Sequence, residues 1–255
     1  IDNISLLLKS NLRNKFGNYN PEPSSMPFHT RLLGKDRMAL FSFIHSLNTN
    51  FGTTIFEPVA REIAAKNFKT ALSQQTAGLQ ISSRAHEVIQ QITDDLSTAN
   101  SNPDKNKEIE KIRTVARIGD MRSVKLTKID IKLVSKDEKI YFIDLKTAKP
   151  NAGEFKGFKR TLLEWAAAAL ASEPEIKIHT LIAIPYNPYA PKPYHRWTMR
   201  GMIDLERELK VAEEFWDFLG GHGTYEQLLE IFEKVGIELH PEIDNYFKKF
   251  NLPSL

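Results

Sequence analysis

Cysteine is absent from all 255 residues, which excludes disulfides, thiolate zinc sites and a cysteine nucleophile and fits a cytosolic protein. No apolar run approaches the roughly 18 residues that a membrane-spanning helix needs. Ile1 to Lys9 carries neither the basic start nor the cleavage site of a secretory signal, and reads as a short amphipathic helix. There is no internal repeat and no low-complexity tract. The seven histidines show no H-E-x-x-H spacing, so zinc-hydrolase chemistry is not expected. His222-Gly223 is not followed by the Gly-Lys-Ser/Thr of a phosphate-binding loop. Charge of one sign is also scarce: 35 basic against 32 acidic residues leave a formal net charge of +3. That balance permits nucleic-acid binding without requiring it, because a local patch matters more than the total.

What is present is an ordinary soluble composition, 41% apolar, long enough for one large core or two small ones. Residues 1–16 read as a helix and 17–35 as an irregular loop. Residues 36–49 are helical, with Met38, Leu40, Phe41, Phe43, Ile44 and Leu47 as buried positions, and Gly52 breaks that helix. A further helix is expected at about 55–70, capped by Thr53 or Thr54 with Pro58 in its first turn. Residues 83–97 are helical, and the polar stretch Thr98 to Lys107 has nothing to bury and reads as flexible. An alanine-rich helix is expected at 155–171 and a strand covered on both faces at 176–185, followed by a loop at 186–200. Helices complete the chain at about 204–219 and 224–235, the first ended by Gly220-Gly221 and the second opened by Thr224 with Gln227 as a capping box. This order predicts an α/β fold with a small mixed sheet.

The most informative stretch runs from Lys128 to Lys146. Two β-like segments each carry one acid, and the second ends Asp144-Leu145-Lys146. Alternation places Ile129, Ile131 and Leu133 on one face and Asp130 on the other; in the second segment Asp144 and Lys146 share a face. A hairpin symmetric about Asp137 sets Asp130 opposite Asp144 with Cβ atoms about 5 Å apart. Like charges that close call for a shared proton or a cation between them. Two carboxylates and a lysine on one face suit metal-dependent phosphodiester hydrolysis: the acids hold Mg²⁺ and the lysine orients water and offsets developing charge. The same residues also fit a strand-edge acid and a surface ion pair.

Other residues admit both a structural and a functional reading. Glu57 complements a helix N-terminus or serves as a further metal ligand. Lys149 and Asn151 lie just past the second strand, where they solubilise a loop or contact phosphates. Lys156, Lys159 and Arg160 open a helix against its dipole, which suits an anionic partner or a solvated face. The loop from Pro185 to Arg200, with Tyr186, Asn187, Lys192, His195, Arg196 and Arg200, mixes rings and cations in a way that suits DNA, or pins its own tyrosines with prolines.

Asp130 with Asp144-Leu145-Lys146 resembles the PD-(D/E)xK nuclease signature, with Gly52 to Glu57 similar to its upstream acidic helix and Ile129 in the proline position. The runs Ile143 to Asn151, Ile184 to Tyr189 and Phe215 to Gly220 resemble the TdeIII-like type II restriction endonucleases, a likeness that covers about residues 30–235. The resemblance implies one restriction-endonuclease-like nuclease domain over 1–255, with a central mixed sheet flanked by helices. Its helical N-terminal part would span about 1–97, its catalytic αβ core about 50–190 and its helical C-terminal part about 203–255. It further implies Mg²⁺ held by Asp130, Asp144, the Leu145 carbonyl and Glu57, with Lys146 polarising the water. It implies cleavage of double-stranded DNA at a short palindrome of the GGNCC kind, a homodimer, a cytosine methyltransferase partner and a cytoplasmic bacterial or archaeal setting. A repair nuclease or junction resolvase with the same chemistry, and a non-catalytic DNA-binding protein, are the alternatives.

Overall fold

The computed structural model describes residues 2–20, 26–146 and 150–248. In chain order the elements are α1 (Asp2–Asn18), α2 (Pro27–Leu33), α3 (Lys35–Phe51), a π-helical turn (Gly52–Phe56), α4 (Glu57–Ala64), β1 (Thr70–Gln75), β2 (Gln80–Ser82), α5 (Ser83–Ser97), α6 (Lys105–Val115), β3 (Met121–Ser123), β4 (Ile129–Val134), β5 (Lys139–Leu145), α7 (Phe155–Ser172), β6 (Lys177–Ile184), β7 (Leu209–Val211), α8 (Glu213–Gly220) and α9 (Thr224–Lys248). Short 3₁₀ turns precede α7 and follow the 186–195 loop. The chain divides into two compact units, 1–59 with 225–255, and 60–224.

The first unit is helical. Phe16, Phe43 and Tyr246 bring α1, α3 and α9 together as a ring cluster with centroids 5.0–5.8 Å apart. The Tyr246 hydroxyl donates to the Tyr19 carbonyl at 2.9 Å, and Arg13 pairs with Glu242 at 2.7 Å.

The second unit holds a five-stranded mixed sheet in the order β1-β4-β5-β6-β7. The β4–β5 hairpin is antiparallel with Ile131 opposite Ile143 and Val134 opposite Ile140, the register expected for a turn centred on Asp137. Strand β5 passes through α7 to β6, which lies parallel to it with Asp144 beside Ile182. Alternation is clean in β4: Ile129, Ile131 and Leu133 are fully buried and Asp130 lies between them on the other face. Helix α7 presents Phe155, Leu162, Leu163, Trp165 and its alanines to the core, with Trp165 edge-on to Phe142. Small alanines let the helix lie close. A Cβ on Gly78 would come within 2.9 Å of the Ala168 carbonyl oxygen, so only glycine fits there. Rings of Phe68, Tyr141, His179 and Phe218 cover the opposite face of β5 and β6.

Several expectations are corrected. Residues 27–33 within the expected loop form α2. Gly52 does not break the helix: a π-helical turn carries the chain from α3 into α4, so Thr53 and Thr54 lie inside helix rather than at the start of one. Leu40, Phe41 and Ile44 are exposed by 43%, 49% and 46%, and the buried face of α3 is Met38, Ala39 and Phe43. The helix expected to reach residue 70 ends at Ala64. Lys105–Lys107, within the segment expected to be flexible, opens α6, which Asp104 caps at the Lys107 N–H, 3.1 Å. The helix expected at 204–219 is a turn, strand β7 and the shorter α8.

Candidate active site

The sheet's pairing brings two acids together. Carried one residue further, the β4–β5 register sets Asp130 opposite Asp144, close enough for the two carboxyls to shift each other's proton affinity. Asp130 Oδ2 also accepts the Leu145 N–H at 2.8 Å, and the Gln74 side chain from edge strand β1 donates to Oδ1 at 3.4 Å. Lys146 Nζ lies 2.8 Å from Asp144 Oδ2 and 4.4 Å from the centroid of the Phe158 ring on α7. The Lys146 backbone N–H is tied to the Ala183 carbonyl at 2.9 Å, which fixes the end of β5 against β6.

Electrostatics follow from burial. Asp144 is 6% exposed. Desolvation pushes its carboxyl up to about 6, helped by the Asp130 charge and opposed by Lys146. Burial raises Asp130 as well, against the Leu145 N–H and Lys146. Lys146 is one cation against two carboxyls, so the lysine alone does not balance the full charge of both acids. A hard divalent cation, which takes carboxylate and carbonyl oxygens, matches that donor set.

The other expected residues fall differently. Glu57 is the first residue of α4 in the helical unit, 4% exposed. Lys149 lies outside the described residues. Asn151 is exposed and donates its backbone N–H to Glu154 at 3.1 Å. Lys156 is exposed and pairs with Asp94 at 3.0 Å. Arg160 is half-buried, donating to Glu164 at 2.8 Å and to the Gln90 side-chain amide oxygen at 2.7 Å.

Lys159 is corrected outright as a DNA contact. It is fully buried, 2.5 Å from Glu108 and 2.6 Å from Glu208, and Lys105 completes the cluster at 2.7 Å from Glu208. Burial alone would lift the Glu208 carboxyl, but the two ammonium groups outweigh it and hold it below its usual range. The sequence carried a signal for this: Phe155, Lys159, Leu162 and Ala166 recur at helical spacing on one face.

The 186–200 loop packs largely on itself. His195 stacks on Tyr189 at 3.7 Å, the Asn187 side chain donates to the Lys192 carbonyl at 2.7 Å, and Arg196 pairs with Glu214 at 2.6 Å. Tyr186, the Lys192 side chain and Arg200 remain exposed. Sequence reasoning missed Gln74 and Phe158. Gln74 adopts φ 55° on a weakly patterned edge strand, and no periodicity announces it. One other acid–histidine group occurs among the described residues, Glu213, Asp217 and His222, with ligand atoms within 4.8 Å of one another.

A family model described as "Type II restriction endonuclease, HinfI" matches residues 1–236. The type II restriction enzyme HgiBI of Herpetosiphon aurantiacus is 26% identical over 251 residues, covering 94% of this chain and 90% of that protein. MjaII of Methanocaldococcus jannaschii is 27% identical over 265 aligned positions, covering 92% and 70%. HgiEI, also of Herpetosiphon aurantiacus, is 26% identical over 221, covering 85% and 79%. The likeness to TdeIII-like enzymes and the family model agree at the level of type II restriction endonucleases. The chain is a member of the HinfI family of type II restriction endonucleases, hydrolases that cleave double-stranded DNA at specific sites.

Proposed function

We propose that this restriction endonuclease is Mg²⁺-dependent, with Asp130, Asp144 and Lys146 as its catalytic set. The observation that carries the reading is the placement of Asp130 opposite the buried Asp144 across the hairpin, with Lys146 2.8 Å from Asp144. Asp130 and Asp144 would hold the ion, with the Leu145 carbonyl as a further ligand. When bound, Mg²⁺ neutralises charge on the phosphate and polarises its oxygen. Lys146, steered by Asp144 and the Phe158 ring, positions a water in line with the scissile bond and offsets the charge that develops on phosphorus. Water oxygen bonds to phosphorus and the P–O3′ bond breaks. The water proton leaves and O3′ takes one up, giving 5′-phosphate and 3′-hydroxyl ends.

The preferred site is a short palindrome of the GGNCC kind, as the sequence resemblance implies. A two-fold site suits a homodimer working as one nuclease in the cytoplasm, with a cytosine methyltransferase protecting host DNA. Phosphate contacts by Lys149, Asn151, Lys156, Lys192 and Arg200 fit this reading. Digestion of methylation-free phage DNA with Mg²⁺, followed by end mapping, tests it. Discrete bands with 5′-phosphate ends are expected from the wild type and none from Asp144→Ala or Lys146→Ala, which still bind duplex. Normal cutting by either variant rules out the assigned site, and smears or structure-selective products indicate a repair nuclease.

A further inference from the structure

Strands β1 and β4 pair as far as Gln75 opposite Ile129, at the end of the sheet that carries Asp130. Both chains then leave the sheet and pair again. The Val124 N–H donates to the Leu79 carbonyl at 2.9 Å, Ile81 lies opposite Arg122, and the Ser83 N–H reaches the Asp120 carbonyl at 2.8 Å. The result is a two-stranded ribbon, β2–β3, growing from the acid end of the sheet. Its root is fixed. Ile81 and Ser82 are buried, Gly78 lies tight against Ala168 of α7, and the Trp165 indole N–H donates to the Thr127 carbonyl at 2.9 Å.

The outer side chains have no comparable role in the fold. Gln80, Arg122, Lys125 and Lys128 are exposed, and Leu79 is 72% exposed. Arg122, Lys125 and Lys128 have no ion-pair partner among the described residues. The cations singled out from sequence are mostly engaged: Lys159 is buried, Arg160 and Arg196 hold carboxylates, and Lys156 holds Asp94.

We propose that the β2–β3 ribbon and the Val124–Lys128 segment form a DNA-contacting element that reads bases next to the cut. Lys125 and Lys128 hold phosphates, and Arg122 and Gln80, which the register sets on opposite faces of the ribbon, read base edges from its two sides. This inference rests on the proposed nuclease reading and locates its specificity. A two-stranded ribbon fits the major groove, where arginine pairs with guanine and glutamine with adenine. An exposed Leu79 matches a thymine methyl. Arg122 lies eight residue steps before Asp130, so at about 3.3 Å a step the ribbon reaches no more than about 26 Å from the acids. That is roughly eight base-pair steps, which keeps a short palindrome within range.

Anisotropy with a random-sequence 30-base-pair duplex pool, with Ca²⁺ in place of Mg²⁺ and a NaCl series, tests the phosphate half. Lys125→Ala/Lys128→Ala should weaken binding and lower the log–log salt slope by about 2. Lys136→Ala/Lys177→Ala removes the same charge away from the ribbon and should leave the slope unchanged. Cleavage of methylation-free phage DNA by Arg122→Ala and Gln80→Ala tests the base half. Each should lose about ten- to a hundredfold in cutting at the preferred site, or cut sites differing at one base pair. Melting curves establish that each variant is folded.

An unchanged salt slope, or cutting by both base-reader variants at the wild-type sites and rate, overturns the ribbon. So does a wild type that ignores the duplex pool. A wild type that binds but cuts no DNA sinks the nuclease reading while the salt comparison still decides the ribbon.

Discussion

Asp144 keeps its proton up to about pH 6, because burial and the Asp130 charge both oppose ionisation. In an unfolded chain an aspartate titrates near 4. Between those values the folded state binds more protons than the unfolded one, so metal-free stability falls as pH rises through that window. Below about pH 4 the penalty is absent; above about pH 6 it is complete, at most about 3 kcal/mol for a carboxyl displaced that far. Asp144→Asn should therefore melt higher than wild type at pH 8 in a chelator, and the gap should close at pH 4. A gap that widens on acidification would mean that the pair with Lys146 outweighs desolvation. Added divalent cation should raise the wild-type melting temperature at pH 8 and leave Asp144→Asn nearly unmoved.

Gln74 lends itself to a similar comparison. Its left-handed backbone costs on the order of 1 kcal/mol, which glycine would relieve, while its amide contacts Asp130. Gln74→Gly should raise or preserve the melting temperature and slow cleavage. Equal loss of both would place Gln74 in the fold alone. The acids and Lys146 were legible in the sequence because strand alternation and hairpin symmetry are local rules. Gln74 was not, because its role depends on which distant strand pairs beside β4.

At the scale of elements, legibility followed how closely polarity tracked burial. Helices α5 and α7 and strand β6 carry clear apolar patterns and lie where periodicity places them. Helix α6 hides because its buried face is Lys105, Glu108, Ile109 and Ile112, half of it charged. Strands β2, β3 and β7 are three residues each, too short for alternation to register.

The same charges make a prediction about packing between elements. Lys159 from α7 is held by Glu108 of α6 and Glu208 beside β7, all within the core. Lys159→Ala leaves the buried Glu108 without its cation and Glu208 with Lys105 alone, and should cost about 3–5 kcal/mol in urea unfolding. An exposed phosphate contact would instead lose DNA affinity at nearly unchanged stability. Replacing the ion cluster as a whole with apolar residues should recover much of the loss.

At the scale of the molecule, the two compact units have separate cores assembled from different parts of the chain. The helical unit joins both ends through Phe16, Phe43 and Tyr246, whereas the sheet unit is continuous and carries the acid pair, Lys146 and the ribbon. The sequence marks only the second crossing, by Gly220, Gly221 and Gly223 just before α9; the first runs through α4, which is unbroken there. Two cores of different composition should unfold with unequal sensitivity to perturbation. A divalent cation bound by Asp130 and Asp144 stabilises only the state in which the sheet unit is folded. Tyr246, 5% exposed and far along α9, stabilises the helical unit. Tyr246→Ala should cost that unit about 3 kcal/mol. Calorimetry of the wild type should then show two transitions: Ca²⁺ should raise one, and Tyr246→Ala should lower the other. One sharp transition that moves as a whole under both changes would show that the helices and the sheet fold as a single cooperative body.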